Sequence, residues 1–241
     1  MKKIPRSFYW IIMFFILSFW TERLIFLFPS YVSRVLDFLN IFPKVRLFSI
    51  LFFLQELFLI IFLIISIKIS FWKETSVWIY LKSKFKWLGL KKLFWYAVFW
   101  YIVYTVVLSA ILLLSSALNV DFPWFHWTQQ VATVLDSLDK TWILNIVLIS
   151  FTTVILAPLV EELIYRWYIA DVLIKDCGRD IGIVSSAFIF AAIHMDFDVL
   201  WILFILALIL SYIYSKTNSI RYSLAFHMLV NGISILFLFL R

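Results

Sequence analysis

FWYAVFWYIVYTVVLSAILLLSSAL, residues 94–118, carries no charge, no glycine and no proline. At ~1.5 Å rise per residue, a helix of this length crosses the ~30 Å hydrocarbon core of a bilayer. Its apolar residues are continuous rather than alternating, which excludes the strand of a membrane β-barrel. The rest of the chain agrees. Of 241 residues, 65% are hydrophobic and 15% charged, against about 45–50% and about 25% in soluble domains. A soluble chain of this size has too little interior to hide so much apolar surface, so lipid must cover the remainder. With 4 Gly and 5 Pro, a turn-rich barrel is excluded as well. The expected fold class is all-α, a polytopic transmembrane helix bundle of about seven to eight membrane helices.

Further apolar runs flank this one at 7–28, 47–69, 142–160, 181–194, 199–214 and 220–240. The run from Trp142 continues without a turn into 161–177, and Cys177-Gly178-Arg179-Asp180 breaks it. Trp and Tyr, 12 and 11 in number, gather near run ends, where interfacial belts form. The first run is too long for a signal peptide and lacks a small-x-small cleavage site, so an uncleaved signal anchor is expected. Thr21, Glu22 and Arg23 interrupt it. Neither a repeat nor a domain boundary is visible, and 1–241 reads as a single integral membrane domain.

The net charge of +7 excites no expectation of nucleic-acid binding. The lysines cluster at 71–92 among Trp78, Tyr80, Phe85 and Trp87, as the positive-inside rule requires. That stretch reads either as an interfacial segment on anionic headgroups or as a plain cytoplasmic connector. Lys and Arg counts put the N-terminus in the cytoplasm and 119–141 outside, in a multi-pass cell-membrane protein. Cys177 is the one cysteine, so no intrachain disulfide exists.

Charged and polar side chains are costly inside a bilayer and are functional candidates there. They concentrate in the C-terminal third, in three clusters. In Ala157-Pro158-Leu159-Val160-Glu161-Glu162-Leu163-Ile164-Tyr165-Arg166, Pro158 kinks the helix or begins a new one. Glu162 and Arg166 stand four apart and can pair. Glu161 points about 100° away and lacks that partner, as suits a general base. The bland reading is an acidic helix start at the membrane surface. In the second cluster, Ser186 to His194, small residues permit close helix approach and Phe190 precedes His194 by four; a lone histidine at a helix end is otherwise unremarkable. In the third, His227 and Asn231 share one helix face, as hydrogen-bond donors or as helix–helix glue.

The clusters also share a depth. Glu161 lies about 17 residues before Gly178 and His194 about 16 after it, so an antiparallel hairpin sets both at similar height. Asn231 and His227 lie about 13 and about 9 residues past the turn near Asn218, overlapping the same layer.

Glu161-Glu162-x-x-x-Arg166, Phe190-x-x-x-His194 and His227-x-x-x-Asn231 together resemble the signature of the CAAX-protease and bacteriocin-processing family, also called the Abi family of intramembrane glutamic endopeptidases, similar to type II CAAX prenyl endopeptidases. The resemblance covers about residues 142–240, which would be the catalytic helical core; helices within 1–118 match only generically. Trp167 departs from the glycine many members have there. The resemblance implies peptide-bond hydrolysis at the membrane, with Glu161 and His194 activating water and His227 and Asn231 holding the oxyanion. Glu162 and Arg166 would lock the helix that aims Glu161, with Phe190 in support. No cofactor is implied on this reading; were zinc present, Glu161, His194 and His227 would ligand it. Expected partners are membrane lipid and a peptide or lipid-modified protein substrate, in peptide maturation or bacteriocin self-immunity within a bacterial plasma membrane. Two other classes compete: a non-proteolytic immunity or regulatory protein that binds a partner through the same helices, and a small transporter with an ion relay. A transporter would more often show repeated halves, and none is present. Substrate, cleavage position and oligomeric state are not legible.

Overall fold

The structure, a computed structural model, describes residues 53–61, 83–85, 89–118, 143–194 and 199–240. The expected signal anchor, most of the lysine-rich stretch and the whole acidic loop at 119–141 lie outside them. Among the described residues the secondary structure is helical, without strands. Four helices there are long and apolar enough to cross a membrane, at Leu90–Ala117, Ile146–Cys177, Leu200–Thr217 and Ile220–Phe237. The protein is therefore a helical membrane protein with four candidate spans among the described residues, where the sequence suggested about seven to eight. The shortfall has a plain origin: the first two apolar runs lie wholly or largely outside those residues, and the fifth forms a helix of only 15 residues.

Two compact units separate: Met1–Tyr80 with Ser137–Thr152, and Leu81–Asp136 with Thr153–Arg241. In the first, helix α1 (53–61) and helix α3 (Ile143–Phe151) are described. The Phe53 and Phe151 rings meet at 6.4 Å.

The second unit holds every candidate residue. Its helix α2 (Leu90–Ala117) packs with α7 (Leu200–Thr217) and α8 (Ile220–Leu240). Ala97, Tyr104, Ile202, Leu206, Leu210, Ile213, Phe226 and Val230 form the core between them. The opposite face of α2 exposes Phe94, Trp95, Phe99, Ile102 and Leu113, as suits a lipid-facing surface.

Helical residues run on from Ile143 to Cys177, but the helix widens twice. A π-helical stretch covers Thr152–Leu156, α4 covers Ala157–Glu161, a second π stretch covers Glu162–Ala170, and α5 covers Asp171–Cys177. The sequence suggested a kink or a fresh start at Pro158; Pro158 stands in the first turn of α4, and the chain widens on either side of that short helix, as often happens at functional sites.

Gly178 then turns the chain at φ 87°, a backbone region that glycine enters without strain. Helix α6 (Arg179–Ile193) returns along α5. Their approach is close: a Cβ on Gly182 would lie 2.5 Å from the Ile174 backbone nitrogen. Buried Ser186 and Ser211 join α6 to α7 by a hydroxyl–hydroxyl bond of 3.0 Å. Asn218, left-handed at φ 52°, ends α7 and lets α8 return, so both turns fall where the sequence put them.

Candidate active site

The second π stretch presents a run of buried side chains toward α6 and α8. Glu162 and Arg166 are both wholly buried, with Arg166 Nη1 3.4 Å from Glu162 Oε1. The pair is coulombic, since none of the Arg166 nitrogens makes a hydrogen bond. The guanidinium lies instead over the Phe190 ring at 4.5 Å and near the Tyr165 ring at 5.9 Å. Such stacking partly replaces the lost hydration of a buried cation.

His227, on α8, stands between two adjacent carboxylates. Its Nδ1 lies 3.1 Å from Glu162 Oε1, and its Nε2 lies 3.4 Å from Glu161 Oε2. The sequence reading left Glu161 without Arg166 as a partner, on the 100° spacing of an α-helix, and Arg166 does pair with Glu162. With the turn widening from Glu162 onward, the two consecutive glutamates address opposite nitrogens of one imidazole. A carboxylate only accepts, so Nδ1–H donates to Glu162. Two carboxylates and one guanidinium thus meet around this imidazole in the interior of the unit.

Phe190 sits at the centre. Its ring, buried to 1% exposure, lies 4.8 Å from Tyr165, 4.9 Å from His194 and 6.2 Å from His227 by ring centroids. His194 follows the last residue of α6 and is exposed. Its Nδ1 lies 2.7 Å from the Phe190 carbonyl oxygen. That oxygen accepts, so Nδ1 bears the hydrogen and Nε2 is the acceptor nitrogen. Glu161 keeps 26% side-chain exposure. The cluster thus grades from the accessible Glu161 and His194 to the sealed Glu162, Arg166 and His227.

Asn231, one helical step beyond His227, is turned elsewhere. Its Nδ2 donates to the Thr153 carbonyl at 2.9 Å. The structure therefore gathers Glu161, Glu162, Arg166 and His227 by direct contact and adds His194 through Phe190, while the amide of Asn231 engages backbone. Three neighbours escaped the sequence reading: Tyr165, Thr153 and Ser223. Ser223 is buried beside Glu162, its hydroxyl donating to the Ile220 carbonyl at 3.0 Å. The signal for Ser223 was present, since it precedes His227 by the four-residue step that links His227 to Asn231.

Among the described residues no three His, Cys, Asp or Glu side chains converge to hold a metal ion.

Residues 142–233 match the family model described as Type II CAAX prenyl endopeptidase Rce1-like. Neither the curated proteins nor the solved structures gave a match.

Proposed function

We propose that this protein is an intramembrane endopeptidase that hydrolyses a peptide bond in a membrane-associated peptide or lipid-modified protein tail. The family whose model matches 142–233 is one of proteases, named for prenylated CAAX substrates. The observation that carries the reading is the pair of consecutive glutamates on the two nitrogens of His227. Helix glue requires one such contact, not two carboxylates on one imidazole beside an accessible edge.

In this reading water lies at that edge, between Glu161 and His194. Glu161 takes its proton while His194, with Nε2 as acceptor, orients it or shares the transfer. The hydroxide adds to the peptide carbonyl. Nε2–H of protonated His227 and the second amide hydrogen of Asn231 meet the oxyanion, and each such donor is worth roughly 3–4 kcal/mol of barrier. Collapse of the tetrahedral species expels the amine, which receives the proton from Glu161. Glu162 accepts from Nδ1–H of the imidazolium and, with Arg166, fixes its ring. The centre works without zinc. The physiological use is peptide maturation or bacteriocin self-immunity in a bacterial plasma membrane, with the N-terminus cytoplasmic.

The test uses full-length protein in liposomes with a membrane-anchored fluorogenic peptide. Glu161→Gln and His194→Ala, inserted at parental levels, should each lose roughly a hundredfold or more in cleavage. Variants that cleave like the parent, or activity abolished by a chelator and restored by zinc, overturn this mechanism. Protection against a bacteriocin that persists without Glu161 would instead favour a binding role.

A further inference from the structure

We infer that Asn231 is a positioning residue: its side-chain amide gives Thr153 the N–H that Pro158 lacks, and so fixes the helical turn that presents Glu161 and Glu162. In a π-helix the carbonyl of residue i pairs with the N–H of residue i+5. The stretch Thr152–Leu156 is π-helical, and five residues beyond Thr153 stands Pro158. Proline has no N–H, so the register leaves the Thr153 carbonyl without its helical donor. Within a bilayer core no water is at hand to replace it, and a neighbouring helix must do so.

Helix α8 does. Asn231 Nδ2 donates to the Thr153 oxygen at 2.9 Å. The fit extends to the next residue, Gly232, where a Cβ would stand 3.6 Å from Val154 Cγ1, so α8 runs close along this turn. The tie falls beside the charge cluster on both helices. Asn231 is four residues after His227, and Pro158 is three before Glu161. One hydrogen bond therefore sets the depth of the glutamate pair against the imidazole it flanks. An amide has two hydrogens; this role uses one and leaves the other for the oxyanion.

The inference deepens the endopeptidase reading and rests on it only for its kinetic consequence. The experiment is a cycle of Asn231→Leu, Pro158→Ala and the double variant, in full-length protein. Leucine keeps the volume and removes the donor; alanine at 158 returns an N–H to Thr153. Unfolding midpoint is read without substrate, and kcat and KM are read with it. Asn231→Leu should lower the midpoint and reduce kcat by roughly a hundredfold or more, with KM little changed, because the tie and the oxyanion donor are lost together. The double variant should recover the midpoint and raise kcat roughly tenfold above that of Asn231→Leu, while staying below the parent, since only the tie is restored. A midpoint unchanged by Asn231→Leu, or a double variant as slow and as unstable as Asn231→Leu, overturns the inference. Should Pro158→Ala fail to fold, Pro158→Gly supplies the same N–H, and the Asn231→Leu midpoint decides alone. A parent that cleaves nothing would count against the endopeptidase reading, while the midpoints would still judge the tie.

Discussion

Glu162→Gln and Arg166→Met cut one ion pair from its two ends, and the structure predicts unequal costs. The charges stand 3.4 Å apart in side chains with no exposure. At an effective dielectric of about 20, the gross attraction is ~5 kcal/mol. Removing one member of a buried pair typically costs about 3–5 kcal/mol, because the survivor is stranded. What remains for each survivor differs. After Arg166→Met, Glu162 keeps His227 Nδ1 at 3.1 Å and Ser223 beside it. The imidazolium form of His227 then serves as the counter-ion, which holds the loss near ~3 kcal/mol. After Glu162→Gln, the guanidinium keeps the Phe190 face at 4.5 Å and the field of Glu161. A cation–π contact returns about 0.5–2 kcal/mol, and none of the arginine nitrogens has a hydrogen bond to fall back on. That loss should approach ~5 kcal/mol. Glu162→Leu with Arg166→Met leaves no unpaired charge and should recover to within about 1 kcal/mol of the parent, although not in activity. Reversible unfolding in mixed micelles measures all of these on one scale. The reasoning fails if Arg166→Met costs as much as Glu162→Gln, or if the double variant is less stable than either single one.

Two further outcomes follow from packing. Gly182→Ala sets a Cβ 2.5 Å from the Ile174 nitrogen; an overpacking cost of about 1–3 kcal/mol exceeds the ~1 kcal/mol gain in helix propensity, so the melting temperature should fall, whereas Gly232→Ala, with its nearest atom at 3.6 Å, should leave it level or raise it. Lys84→Met removes bonds from Nζ to Asp171 (3.0 Å) and Asn218 and a contact over the Tyr214 ring; since Lys175 and Tyr214 still bond Asp171, the loss should be about 1–2 kcal/mol, seen as faster amide exchange across 213–218 with no change at 186–190.

Much of this molecule is local in origin and was therefore readable from the chain. Long uncharged runs demand helices in lipid, because backbone polar groups have no other partner there. The turns at Gly178 and Asn218 follow from residues that accept positive φ. The Glu162–Arg166 pair follows from a four-residue step on one helix. The same step gave the shared face of His227 and Asn231. Nothing local, however, states that the register widens on both sides of Pro158, because that depends on what α6 and α8 bring against the turn. A change of register alters the angle between Glu161 and Glu162, so the sequence could not tell that both would face one imidazole. Nor could spacing tell that Asn231 faces the Thr153 carbonyl, or that Phe190 is the plate on which Arg166, Tyr165 and His194 meet. Those are contacts across long stretches of chain, set only when packed helices leave each buried polar atom one place to go.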